Sequence, residues 1–188
     1  MSPGFIDTHV HGGGGHDFMD GGTECVKGAL KAHLMHGSTT VVPTTLSESC
    51  GAILQAIEDV KTVIFESEDL PHILGMHLEG PYFSPDQAGA QDPRYITPPV
   101  PEDYKKIIES ADGFIVKYIF APVLPRTIDF CDYLKENDIL PAAGHTDCTY
   151  DDLKTAHPVL LKVALRKCPT EKHLPEALPQ WTVWCAYA

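Results

Sequence analysis

Basic residues are scarce in this chain. Its 188 residues hold 14 Lys+Arg against 26 Asp+Glu, a formal net charge of -12 with a pI near 5.1. A surface of that sign repels phosphate backbones and anionic headgroups, which argues against nucleic acid and membrane as partners and leaves a small molecule as the expected ligand. No apolar run approaches the ~20 residues of a membrane span. The opening Met-Ser-Pro-Gly-Phe-Ile has neither the basic start nor the apolar centre of a secretory signal. The six cysteines (25, 50, 131, 148, 168, 185) form no CxxC pair, a scatter that suits reduced thiols and a cytoplasmic location better than a disulfide framework. Neither GxGxxG nor GxxxxGK[ST] follows any strand-like segment. The Gly12–Gly15 run lacks the spacing of a dinucleotide fingerprint and reads as a flexible turn.

What is present is alternation. With 43% hydrophobic and 21% charged residues, the composition is that of one globular domain. Gly4–Val10 is strand-like, and Gly21–His36 sets Val26, Leu30 and Leu34 at helical spacing. The β-branched Ser38–Pro43 is the next strand. A helix follows, capped by Ser47 or Ser49, with an apolar face of Ile53, Leu54, Ile57, Val60 and Ile64. A third strand is expected through Ile73, Leu74, Met76 and Leu78. Further on come a helix from Pro101 to Ser110, a strand from Phe114 to Val123, a helix from Thr127 to Asn137, a strand from Ile139 to Gly144 and a helix starting near Thr149. Five β-α units imply parallel strands with crossover helices, in a doubly wound sheet or a (β/α)8 barrel.

Three of the strand ends share a grammar: an apolar run, metal-competent side chains, then a turn. In GFIDTHVHG, His9 and His11 stand at i and i+2 and face the same way. In HLEGP, Glu79 is the last side chain before Gly80-Pro81, where burial is costly unless something positive meets it. His77 shares its face, as a residue orienting a ligand or as core. In AAGHTD, His145 follows the apolar stretch. These are strands one, three and five, and in a barrel alternate strands supply one interior layer. His9, His11, Glu79 and His145 would then converge as a donor set for Zn2+ or a similar divalent cation.

The segments PGFIDTHVHG, HLEGPYFSPDQAGAQDPRYI and AGHTDCTYDDL resemble the N-acetylglucosamine-6-phosphate deacetylases, metal-dependent members of the amidohydrolase superfamily, over about Pro3 to His157. The resemblance implies an α/β fold, here a partial (β/α)8 TIM-type barrel of about five of eight units. It implies hydrolysis of N-acetylglucosamine 6-phosphate to glucosamine 6-phosphate and acetate, with a related N-acetylated sugar phosphate as the alternative substrate. It also implies one or two divalent ions, expected to be Zn2+, and a homodimer. By motif, Glu79 and His145 match metal-binding positions, and His9 and His11 match the HxH pair of members thought to hold a second metal. Ala90 matches a position that contacts substrate through its backbone, in a loop whose usual Lys-Gly-Ala-His is Ala88-Gly89-Ala90-Gln91 here.

The resemblance stops near His157. The family's third metal-binding histidine, in a Thr-His-Leu context, and its aspartate general base find no counterpart, which raises a second reading: a metal-binding fragment without turnover. Charge shifts at the same place. Residues 1–157 hold 10 Lys+Arg and 24 Asp+Glu, whereas residues 158–188 hold 4 and 2, with both tryptophans and four prolines. The expectation is a partial barrel over 1–157 and an atypical tail over 158–188, frameshifted or foreign.

Overall fold

A computed structural model of the chain describes residues 3–66, 69–149 and 151–153. The strands are β1 (Phe5–Val10), β2 (Gly12–Gly13), β3 (His16–Asp17), β4 (Ser38–Pro43), β5 (His72–Ile73), β6 (Met76–Glu79), β7 (Ile115–Phe120) and β8 (Leu140–Ala143). Four helices separate them: α1 (Thr23–Met35), α2 (Cys50–Glu66), α3 (Pro101–Ala111) and α4 (Thr127–Glu136). One expected cap is visible, and a second cap is found that was not expected. The Ala52 N–H donates to Ser49 Oγ at 3.3 Å ahead of α2. Thr149 and Asp152 exchange backbone-to-side-chain bonds of 2.8 and 3.2 Å, a capping box for the helical residues 151–153.

The parallel strands lie in two sheets of three, ordered β1-β4-β5 and β6-β7-β8. An isolated parallel bridge, Thr44–His77, joins them, and the described residues form no closed barrel. The third expected strand is thus split. Leu74, expected to be buried, is 50% exposed. Gly75 beside it has φ +143°, and a Cβ there would come within 2.6 Å of the Phe114 carbonyl. Only glycine allows β6 to bend away from β5 and lie against β7 at that point.

Two further expectations are corrected. Along α2 the buried stripe is Ile53, Ala56, Ile57, Val60 and Val63, while Ile64 is 41% exposed. The stripe advances by three residues after Val60, so Val63 and not Ile64 continues the covered face. The glycine run is a tight hairpin instead of a loose turn: Gly14 (φ +62°) and Gly15 (φ +84°) reverse the chain between antiparallel β2 and β3. The core beneath β6 and β7 is aromatic. Phe130 of α4, fully buried, meets Tyr82, Tyr118 and Phe120 edge-on at centroid distances of 5.0 to 5.1 Å. No helix among the described residues is long and apolar enough to cross a membrane. The expected tail, 158–188, lies outside the described residues.

Candidate metal centre

The four candidate ligands come from both sheets. His9 and His11 stand at the end of β1, Glu79 ends β6, and His145 follows β8. They converge on the Glu79 carboxylate, which is 5% exposed. Oε2 lies 2.9 Å from His11 Nε2 and 3.4 Å from His9 Nε2, and the two imidazole nitrogens are 3.3 Å apart. Oε1 lies 3.1 Å from His145 Nε2. Donors bound at about 2.0–2.1 Å to a tetrahedral Zn2+ are separated by roughly 3.3 Å, so the His9–His11–Glu79 triangle has the dimensions of one face of such a site.

Tautomers point the same way. His145 Nδ1–H donates to the Gln87 carbonyl at 2.9 Å, and His11 Nδ1 faces the Thr44 carbonyl at 3.3 Å. Anchoring Nδ1 on a carbonyl turns the Nε2 lone pair toward the carboxylate, an arrangement that calls for a cation or a proton between them. The His145 ring is further held by stacking on Phe83, with centroids 4.4 Å apart. Its backbone is left-handed (φ +47°), a costly conformation for a residue with a side chain, kept here by the Ser84 N–H donating to its carbonyl at 3.0 Å.

Supporting groups crowd the cluster. Thr44 accepts the Val10 N–H on Oγ1 at 3.0 Å and holds His77 Nδ1 at 3.2 Å, while the Glu79 N–H reaches Thr45 Oγ1 at 3.3 Å. His77 is fully buried, its ring edge-on to His9 at 4.7 Å, and among the described residues its Nε2 has no hydrogen-bond partner. Burial, then the Lys117 charge, pushes the His77 imidazole well below its usual value. Lys117, buried in β7, donates from Nζ to the Thr8 carbonyl at 2.9 Å, and burial pulls its pKa down to about 8 against the attraction of Glu79 and Asp7. For Glu79, burial raises the pKa, but hydrogen bonds from His11, His145 and His9 outweigh it and hold the carboxyl far below the ordinary range. For His145, burial is likewise outweighed by Glu79, and its pKa is raised.

A model of the amidohydrolase family matches residues 1–128. The chain belongs to the amidohydrolase family. Among similar proteins is the N-acetylglucosamine-6-phosphate deacetylase of Bacillus subtilis, 36% identical over 150 residues, covering 78% of this amidohydrolase chain and 38% of that protein. The Vibrio furnissii deacetylase of the same name is 31% identical, covering 83% and 39%. The N-acetylgalactosamine-6-phosphate deacetylase of Escherichia coli O157:H7 is 26% identical, covering 83% and 41%. Among solved structures, the N-acetyl-D-glucosamine-6-phosphate deacetylase of Mycobacterium smegmatis superposes with a TM-score of 0.75 at 30% identity, over 82% of this chain and 40% of that one. The chain spans about two fifths of the length of these relatives.

Within this amidohydrolase, Ala90 is exposed on the turn after the short 3-10 helix Pro85–Gln87. It sits between Gly89, where a Cβ would lie 3.5 Å from His145 Cε1, and the buried Gln91. Sequence reasoning passed over Gln91. Its Oε1 accepts the Ser47 N–H at 2.6 Å and its Nε2 donates to Glu79 Oε2 at 3.2 Å, so it steadies the central carboxylate. Lys117 was missed as well, although a lysine inside the apolar run Ile-Val-Lys-Tyr-Ile-Phe is a visible anomaly. His33 of α1 is half-buried and bonds the Gly12 carbonyl at 2.8 Å.

Proposed function

We propose that the chain is the metal-binding part of a deacetylase that converts N-acetylglucosamine 6-phosphate to glucosamine 6-phosphate and acetate. The observation behind it is the set of three imidazole nitrogens facing one buried carboxylate at 2.9 to 3.4 Å. His9 and His11 address Oε2 and His145 addresses Oε1, which suits two adjacent cation positions with Glu79 between them. Nitrogen and oxygen donors in this ratio favour Zn2+. A divalent ion held there supplies Lewis acidity toward an amide carbonyl and acidifies water. Glu79 stays ionised to bind it. Gln91 fixes the carboxylate, Thr44 and Gln87 fix the imidazoles, and Ala90 offers its backbone to substrate at the mouth. We read the two sheets as consecutive strands of a (β/α)8 barrel, in which case the cluster lies at the carboxyl ends of the strands. A cytoplasmic homodimer acting on this small acidic sugar is the setting this reading implies.

A second reading rests on coverage. The chain spans about two fifths of its relatives' length, and no motif match within it supplies the aspartate base that the resemblance implies, so metal binding without turnover is the alternative. Measuring metal content and acetate release from N-acetylglucosamine 6-phosphate, for this chain and for Glu79→Ala, separates them. Acetate release lost with Glu79 supports the enzyme; a metal content that falls with Glu79 and no acetate from either supports the fragment; equal metal content in both refutes the site.

A further inference from the structure

We propose that His16, Asp20 and Cys25 form a second, sulfur-containing cation site for Zn2+ or another thiolate-binding divalent ion, separate from the Glu79 cluster. One donor atom from each, an imidazole nitrogen, a carboxylate oxygen and Sγ, lies within 4.8 Å of the other two. The residues come from β3, from the turn after it and from the first turn of α1. A tetrahedral ion with one thiolate, one imidazole and one carboxylate needs donor separations of roughly 3.3–3.6 Å. His16 and Asp20 are exposed and Cys25 is half-buried, so rotamer adjustments close that difference without disturbing the core.

The surroundings prepare the site. A Cβ at position 28 would overlap His16 Cδ2 and Nε2, so Gly28 lets the imidazole lie directly on α1, one turn beyond Cys25. Glycine inside a helix costs roughly 1 kcal/mol relative to alanine, and here it makes room for that ring. Asp20 is oriented by the Asp17 N–H, which donates to its Oδ2 at 2.8 Å; among the described residues its other oxygen accepts no hydrogen bond. Asp17 adds a second carboxylate close by, with Oδ1 accepting the Met19 N–H at 2.8 Å. Residues 16–25 hold three carboxylates, Asp17, Asp20 and Glu24, and no Lys or Arg, a local charge that favours a cation even with Glu24 paired to Lys27 at 3.1 Å. Binding deprotonates the Cys25 thiol, the proton passing to solvent. The ion would fasten the β2–β3 hairpin to α1. That hairpin closes with the Phe18 N–H on the His11 carbonyl at 2.9 Å, so it also braces the strand end that presents His11.

Cobalt titration of the full chain tests this with a readout the Glu79 cluster cannot produce. That cluster contains no sulfur, so a thiolate-to-Co2+ charge-transfer band in the near ultraviolet reports only a cysteine-containing site, whether or not the deacetylase reading holds. The band is expected to appear saturably, to vanish in Cys25→Ser, and to need at least about tenfold more Co2+ in His16→Ala and Gly28→Ala. It is expected to persist in Glu79→Gln and in Cys148→Ser. No band at saturating Co2+, or a band that survives Cys25→Ser in a folded variant, overturns the proposal.

Discussion

Replacing Glu79 by Gln keeps the shape of the side chain and removes its charge. In the metal-free chain two effects oppose: hydrogen bonds from His9, His11 and His145 lose a charged acceptor, and a buried carboxylate no longer has to be desolvated. The metal response is different. Losing even a group that merely supports a ligand costs up to about 100-fold in metal affinity, so losing a ligand costs at least that much. At a free Zn2+ concentration about 100 times the parent's Kd, binding stabilises the parent by about 2.7 kcal/mol and the variant by about 0.4 kcal/mol. For a chain of this size one kcal/mol moves Tm by about 2–4 °C, giving rises of about 5–11 °C and about 1–2 °C. Thermal melts with and without Zn2+, run in a Cys25→Ser background so that a single cluster responds, measure the difference. Equal Zn2+-induced shifts in parent and Glu79→Gln would refute the reasoning that this carboxylate is the centre of the site.

In a His77→Gln background, which removes the opposing titration of the buried His77 imidazole, the metal-free chain should lose stability in both directions from weakly acidic pH. Glu79's contribution is present above the ordinary value of 4.5 and lost as pH falls, and His145's is present below 6.5 and lost as pH rises through its raised value. Zn2+ reverses the upper limb, since its imidazole ligands must be deprotonated; urea midpoints against pH, with and without the ion, show whether the two slopes have opposite signs. Lys117 binds fewer protons folded than unfolded between pH 8 and 10.5, so it contributes a gain of up to about 3 kcal/mol across that window, to be read as the difference between parent and Lys117→Met in the same titration. Phe130→Ala removes a fully buried ring from under β6 and β7 and should cost about 3–5 kcal/mol by urea unfolding. Gly80→Ala places a Cβ at φ +91° against Ser47 Oγ and Phe83, and should weaken Zn2+ binding by moving Glu79, as measured by competition with a chromophoric chelator.

The convergence of His9, His11, Glu79 and His145 was legible because each follows an apolar strand and precedes a turn, and strand ends of a parallel sheet gather on one side. Helix and strand order was legible for the same reason: apolar periodicity is local. What could not be read depended on partners distant in the chain. Gly75 splits the third strand because of the Phe114 carbonyl, and Gln91 belongs to the site because Ser47 and Glu79 come to it. Val63 instead of Ile64 faces inward because the sheet's position, and not the helix alone, decides which of two adjacent apolar residues is covered.

The division of the strands into two sheets has a consequence for how the site comes apart. His9 and His11 ride on one sheet, Glu79 and His145 on the other, and apart from the His9 and His11 contacts to Glu79 the bonds that cross near the site are the Thr45 N–H to the His77 carbonyl at 3.0 Å, the Glu79 N–H to Thr45 Oγ1, the contact of Thr44 Oγ1 with His77 Nδ1 and the Lys117 tether to Thr8. A cation gripped by both sheets works as a clasp across a clamshell. By linkage, an ion that binds only the closed shell keeps it shut by an energy that grows with the ratio of free ion to Kd, so amide exchange at Thr45 and Glu79 should slow as ions load, while exchange within each sheet stays the same. Metal release would then follow the breathing of the fold along this line.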